Sequence, residues 1–418
     1  QYHSLDIEWG NHDILWMGAA AGSKACIATV VRNNLKYNNT KILENSYGIS
    51  LRNLALFAEK IYPNEEPMKA ALKAISVMLF KLEGQVILRN PDYNMTDKLL
   101  LHKVNVEKQT VEIDGTEYAI KEEAFPTVNF DSGDMEDIYQ LSEEEEQVME
   151  GLRMAFVNSI RLRQHIDFLY QKGSMYRIFN GNLLYHGCIP MTKDGAFDTI
   201  MIGGNGYKGK SLMDFLNRQV HNAYFLPDGA DGKEEALDLM WYLWCGARSP
   251  VFGKSKMTTF EHYFVEDKAT HKEVMNPYYK LCEKVEICDK ILEEFGLKTE
   301  GSHIINGHVP VKLKDGEKPV KAGGKLFVID GGLSKAYQST TGIAGYTLIY
   351  NSHHLALAEH MPFDPKKDST PKVSVVEKLK VRIMVADTDK GRELKEQIAD
   401  LKELVAAYRE GVIKERAE

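Results

Sequence analysis

The sequence predicts an α+β protein, and three observations predict it. Residues 14–35, 49–82 and 143–171 carry apolar side chains at helical spacing. Between and after them lie short apolar runs with the shorter period of strands, among them 101–118, 303–305 and 326–329. A composition of 44% hydrophobic and 27% charged residues over 418 positions is that of an ordinary globular chain, which excludes wholesale disorder and fibrous architecture.

Taken in order, Leu5, Ile7 and Trp9 alternate with polar residues as a strand does. Gly10-Asn11-His12-Asp13 breaks that pattern ahead of one long helix expected over 14–35. Two helices parted by Pro63 and Pro67 follow over 49–82, and 99–120 then reads as a hairpin or meander with Asp114-Gly115 as a turn. The acidic run Glu143, Glu144, Glu145 and Glu146 opens a helix expected to reach about Gln171. Its charges are expected in a solvated first turn, where the helix dipole favours them. Strands are expected at 176–184, 199–202, 303–305, 326–329 and 347–350, then a polar linker over 361–367. A strand over 381–384 and a charged amphipathic helix over 390–410 end the chain, and no internal repeat is visible.

Charge and cysteine usage narrow the function classes. Fifty-two Lys and Arg against 60 Asp and Glu give a net charge of −8, which argues against a dedicated nucleic-acid binder. No apolar run approaches the roughly 20 residues of a membrane span, so a soluble protein with no membrane partner is expected. Five cysteines (Cys26, Cys188, Cys245, Cys282, Cys288) form no C-x-x-C pair, which points to buried thiols and a cytoplasmic home. The chain starts without Met and without a signal peptide, so its N-terminus looks cut.

Two sets of residues compete for the chemistry. Gly204-Asn205-Gly206-Tyr207-Lys208-Gly209-Lys210-Ser211 satisfies the phosphate-loop pattern, with Asp330 after an apolar strand as a candidate Mg²⁺ ligand. A glycine-rich surface loop before a helix is the plainer reading of that match. The second set is Gly10-Asn11-His12-Asp13, His186-Gly187 and Asn306-Gly307-His308, each placed where an apolar strand ends. Loops at strand ends converge while the sheet holds them rigid. Asn11, His186 and His308 then make an O/N/N donor set suited to a borderline divalent ion. Asp13 is placed to cap the helix that follows.

The order Gly-Asn-His-Asp, His-Gly, Gly-His resembles the second half of the calcineurin-like metallophosphoesterase signature. Longer stretches, over 9–22, 176–190, 238–264, 276–297, 303–311, 327–350 and 382–409, resemble the class III fructose-1,6-bisphosphatases of bacteria. Asp238-Leu239-Met240-Trp241-Tyr242-Leu243-Trp244-Cys245-Gly246 and Asp330-Gly331-Gly332-Leu333-Ser334-Lys335-Ala336-Tyr337-Gln338 are the most specific of these matches. The signature's earlier Asp-x-His and Gly-Asp-x-x-Asp-Arg-Gly motifs are absent. Gly133-Asp134-Met135-Glu136-Asp137 spells the latter in part and is read as a coincidence in a loop. Pro310 stands where a second His of the Gly-His-x-His motif is usual. The chain therefore reads as a C-terminal fragment lacking the first metal's ligands.

The resemblance implies a β-sandwich flanked by helices, with a large mostly helical insertion and a C-terminal helix. The implied domains are a core of 1–30 and 172–363, an insertion of 31–171 with a small β unit, and a linker with a terminal strand and helix over 364–418. It further implies a gluconeogenic 1-phosphatase of fructose 1,6-bisphosphate using two divalent ions, Mn²⁺ first among them, and a metal-bridging hydroxide. Asn11, His186 and His308 would hold the second ion, and His12 would protonate the departing sugar alkoxide. Arg248, Lys254 and Lys256 are the cations best placed for substrate phosphate. A sugar bisphosphate is thus the expected partner, a homo-oligomer is compatible, and the fragment as given is expected to be inactive. Two rivals stay open: another metallophosphoesterase acting on phosphoproteins or dinucleotides, and a non-catalytic scaffold built on a degenerate phosphoesterase domain.

Overall fold

The computed structural model describes residues 4–121, 125–332, 340–366 and 370–413. It is α+β, with helices and several separate sheets. The chain divides into two compact units, one of residues 1–177 and 185–281, the other of residues 178–184 and 282–418.

In the first unit the strand Ile7–Glu8 pairs in parallel with Gly173–Ser174. Gly173 is required there, because a Cβ would lie 1.8 Å from the Trp9 indole nitrogen, which donates to the Leu169 carbonyl. The helix expected over 14–35 is two, Asn11–Ala20 and Lys24–Lys36. Gly22 takes φ +98° and Ser23 caps the second helix, so the chain turns a corner that apolar continuity hides. That bent pair has the composition of a membrane span, yet among the described residues no single helix is long and apolar enough to cross a membrane. The helices Arg52–Ile61 and Pro67–Arg89 follow as expected, the second with Pro67 in its first turn, where the missing N–H costs nothing. The meander Val104–Asn105, Thr110–Ile113 and Thr116–Ala119 also forms as expected, with Asp114 and Gly115 at positive φ in its turn.

The acidic helix departs from expectation twice. It breaks into Glu143–Asn158 and Ile160–Lys172 at Ser159, whose hydroxyl caps the second piece. Glu145 is not solvated: it is 1% exposed and 2.7 Å from the ammonium of Lys81, which is 0% exposed. Lys81 also donates to the Thr127 carbonyl, and Thr127 donates its hydroxyl to Glu145. Every polar group of this buried pair is thus engaged, the condition under which a buried charge is tolerated. The helix Lys233–Cys245 packs on Asn11–Ala20, and Gly18 permits it, since a Cβ there would lie 2.9 Å from Met240 Cβ.

In the second unit a five-stranded sheet runs in the order Val320–Lys321, Leu326–Val328, Ile304–Asn306, Asn182–Tyr185, Tyr176–Phe179. Ile304–Asn306 is parallel to both neighbours, with Ile304 opposite Leu183 and Ile305 opposite Leu184. The single run expected over 176–184 is folded at Asn180-Gly181, both at positive φ. A separate antiparallel sheet joins Gly345–Tyr350, His354–His360 and Lys372–Lys378. The last two strands were not expected, and the strand expected over 381–384 is absent. Lys372–Lys378 takes the edge because its alternating Val373, Val375 and polar residues suit a half-exposed strand. Residues 361–366 form neither helix nor strand, in keeping with a linker, and Lys367 lies outside the described residues. The helix Asp389–Arg409 closes the unit. All five cysteines are buried and free, as expected, and burial pushes the Cys26 thiol up to about 12.

Candidate functional site

The first unit gathers its chemistry around Gly10. Extended backbone at Gly10 delivers the chain from the strand into the helix Asn11–Ala20. Asp13 accepts the Gly10 N–H at 2.9 Å, so it caps the helix as its position suggests. Gly10 itself lies flat on an imidazole: a Cβ there would stand 2.7 Å from Cε1 and 2.9 Å from Nδ1 of His186. Only glycine permits that approach, and it brings the backbone next to Asn11 onto His186. Asn11 is buried, whereas His12 beside it is exposed with its ring 5.0 Å from the Trp244 ring, edge to face. Desolvation by the surrounding protein lowers the His12 pKa against the pull of Asp13, whose own pKa desolvation raises.

A second close approach adds the loop after the helix Lys233–Cys245. At Gly187 a Cβ would lie 2.4 Å from the Pro250 carbonyl oxygen, and Cys188 N–H donates to that oxygen at 2.8 Å. The loop is therefore laced to the residues that follow His186. Ser249 fixes its other end by donating to the Leu243 carbonyl at 2.6 Å. Trp244 and Pro250 were not singled out as site residues. The only signal for Trp244 was its place in the run Asp238 to Gly246, and Pro250 acts through its carbonyl, which no side-chain pattern reveals.

The three candidate cations differ. Arg248 donates to the Thr199 carbonyl at 3.0 Å. Lys254 is paired with Glu273 at 2.7 Å and Lys256 with Glu261 at 3.6 Å, so both ammonium groups face carboxylates of their own chain.

In the second unit His308 follows the strand Ile304–Asn306 with φ +67°, a left-handed conformation costly for a residue with a Cβ. Val309 N–H donates to the Gly307 carbonyl at 2.8 Å and closes a three-residue turn around His308, the rare form of such a turn. Backbone strain of this kind collects at functional sites. Along the chain His186 comes two residues after Leu184 and His308 three after Ile305, and those two strand residues are parallel register partners.

Asn11 and His186 offer an amide oxygen and an imidazole nitrogen, donors that fit a borderline divalent ion. Among the described residues no group of three or more His, Cys, Asp or Glu side chains could hold a metal ion.

The phosphate-loop match does not have a phosphate loop's shape. Ile200–Ile202 and Asn205–Tyr207 pair as a hairpin, turned by Gly203 and Gly204 at positive φ, which places Gly206 in a strand opposite Met201. Lys210 is paired with Asp214 at 2.6 Å, and Gly204 N–H donates to Asp92. Asp330 accepts from Gly332 N–H at 2.7 Å, and Leu333 to Gln338 lie outside the described residues. Asp134 caps the short helix Met135–Ile138, so these residues lie on a helix and not in the expected loop.

The family model described as Firmicute fructose-1,6-bisphosphatase matches residues 1–410. Three similar proteins are each named fructose-1,6-bisphosphatase class 3. That of Clostridium novyi (strain NT) is 49% identical over 443 residues, covering 100% of this chain and 66% of the relative. That of Clostridium tetani (strain Massachusetts / E88) is 48% identical over 440 residues, 99% of this chain and 66% of the relative. That of Clostridium botulinum (strain Langeland / NCTC 10281 / Type F) is 48% identical over 444 residues, again 100% and 66%. The chain thus spans 66% of the length of these relatives. No solved structure matches.

Proposed function

The chain belongs to the Firmicute fructose-1,6-bisphosphatase family, and on that premise we propose that the protein is a fructose-1,6-bisphosphate 1-phosphatase of carbohydrate metabolism, using divalent metal and working in the cytoplasm. The observation that carries the proposal is the packing of Gly10, the residue before Asn11, on the His186 ring. Asn11, His186 and His308 are the proposed ligands, with Mn²⁺ the proposed ion. Divalent ions there would acidify water for attack on phosphorus and neutralise the phosphoryl oxygens.

The chain's own residues supply the rest. His12, exposed and braced edge-on by Trp244, is proposed to deliver a proton to the departing sugar oxygen, a group too basic to leave unassisted. Its neighbour Asp13, held by the Gly10 N–H, sets the helix from which His12 projects. Arg248 is the proposed principal phosphate binder, because its guanidinium matches phosphate in a fork and faces a neutral carbonyl rather than a carboxylate. Lys254 and Lys256 are proposed to add positive potential while Glu273 and Glu261 hold them in place. The β-sandwich and the division into core, insertion and terminal segment belong to the same proposal.

The test is phosphate release from fructose 1,6-bisphosphate, fructose 6-phosphate, a phosphopeptide and a dinucleoside polyphosphate, with Mn²⁺ and with chelator, by a protein that carries this chain together with the third of its relatives' length that the chain does not span. The proposal expects selective, chelator-sensitive release from the bisphosphate. Preference for the phosphopeptide or the dinucleotide overturns the substrate, and release that persists without metal overturns the mechanism.

A further inference from the structure

One buried side chain ties together the two arms of the candidate site in the first unit. Asn276 is buried, and its Oδ1 accepts the N–H of Tyr278 at 3.0 Å and the N–H of Met191 at 3.1 Å. The first bond is the local turn that an Asn makes with the residue two positions on. The second reaches back along the chain to the segment that follows His186. Two backbone donors on one atom also settle which end of this amide is the oxygen. Asn276 N–H in turn donates to the Gly253 carbonyl at 2.9 Å, so the same residue holds the loop that carries Arg248, Lys254 and Lys256.

The surroundings repeat the tie. Tyr185, directly before His186, shares a 2.7 Å hydrogen bond with Tyr278 through their buried hydroxyls. Gly253 stands at φ +65°, where a Cβ would lie 2.5 Å from the Tyr279 hydroxyl, so the turn after Asn276 presses on the cation loop. Lys254 and Met275 form an antiparallel bridge beside it. His186 is thus flanked on both sides in sequence, at Tyr185 and at Met191, by bonds that end within residues 276–278. The two tyrosine hydroxyls serve one arm only, whereas Asn276 serves both.

We infer that Asn276 is a positioning residue that sets His186 in register with the loop of cations, a role that rests on the proposed functions of His186 and of those cations. Removing the Oδ1 acceptor leaves two buried N–H groups that must move to find other partners. The Met191 end of that movement shifts the segment joined to His186. The bond to Gly253 is made by backbone and stays, so the His186 arm bears most of the loss.

The test uses a protein that carries this chain together with the third of its relatives' length that the chain does not span. Its Mn²⁺ dissociation constant, read from the loss of the free-ion electron paramagnetic resonance signal, is compared with its kcat and KM in Asn276→Leu and Asn276→Asp. Leu keeps the branched shape without an acceptor, and Asp keeps the acceptor. Asn276→Leu should weaken Mn²⁺ binding roughly tenfold or more, as loss of a group that orients a metal ligand does. It should lower kcat by a similar factor while KM changes less, and Asn276→Asp should restore Mn²⁺ binding to nearly the parent value. Where Asn276→Leu does not fold, Asn276→Ala, whose space admits water, takes its place with the same expectation. A lowered melting temperature with parent Mn²⁺ affinity and kcat would make the role purely structural and overturn the inference. So would a loss in Asn276→Asp equal to that in Asn276→Leu, since the acceptor would then not matter. A parent that binds no Mn²⁺ overturns this role together with the proposed ligands. If Mn²⁺ binding responds as expected but the parent releases no phosphate from fructose 1,6-bisphosphate, the proposed substrate falls and the positioning role stands.

Discussion

The neighbourhood of Gly10 and His186 and the segment from Lys372 to Arg409 use their residues in opposite ways. In the first, backbone is pressed onto an imidazole and a carbonyl at Gly10 and Gly187, with no room for a Cβ. In the second, the edge strand Lys372–Lys378 leaves Val373 and Val375 58% and 51% exposed, and the final helix holds an apolar stripe in solvent. The difference is one of constraint. Close approach fixes single residues, so it marks the sequence with isolated motifs such as Gly-Asn-His-Asp and His-Gly. An uncovered face fixes only a period, so it marks the sequence with spacing alone.

That contrast gives substitutions of graded effect. The largest belongs to the first unit's buried pair: Glu145→Ala strands the Lys81 ammonium, which is 0% exposed, and should lower stability by about 3–5 kcal/mol. Urea unfolding of this variant beside Glu393→Ala, which removes an exposed partner of Lys390, measures it. Equal midpoints would erase the contrast. Next comes Gly10→Ala, whose methyl must displace His186 and should reduce turnover about a hundredfold through misplacement of the site. Gly391→Ala is more crowded still but lies on the terminal helix, and should unsettle that helix without changing turnover. Comparable turnover losses in both would show that crowding, not the site, is what Gly10→Ala reports.

The smallest effect concerns His303, whose Nδ1 meets Asn182 and whose Nε2 meets Glu377 at 2.7 Å. Burial lowers its pKa, and the Glu377 charge opposes that shift without cancelling it. A depressed folded pKa means that the unfolded chain takes up the proton first as pH falls. His303 therefore contributes stability above the ordinary imidazole pKa and loses it as pH falls through the folded value. Glu377→Gln removes the opposing charge, lowers the folded pKa further and should deepen the acid loss of thermal stability below about pH 6.5. A melting temperature whose pH profile is unchanged in Glu377→Gln would contradict this.

Much of the fold was legible because its signals were local. Pro67 marked a helix start, Asp114-Gly115 marked a turn, and apolar runs marked the strands Ile304–Asn306 and Leu326–Val328. The corners at Gly22-Ser23 and Ser159 were written as well, but continuous apolar spacing on both sides outweighed a single capping residue. Glu145 could not be read, since nothing nearby in sequence announces that Lys81 will meet it inside the core. Lys372–Lys378 was missed because an edge strand with polar alternation lacks an apolar run. At the candidate site, Asn11, His12 and His186 were visible as motif residues, whereas the contribution of Pro250 lies in a backbone carbonyl and that of Trp244 in a ring contact.

The proposed function names His186 and His308 as metal ligands. Pulsed electron paramagnetic resonance of Mn²⁺ added to the chain tests it most directly, because imidazole nitrogen bound to the ion imprints its nuclear frequencies on the echo. The account predicts nitrogen modulation in the parent protein, reduced in His186→Ala and in His308→Ala and absent when both are replaced. Bound Mn²⁺ without nitrogen modulation, or modulation that survives the double replacement, would contradict it.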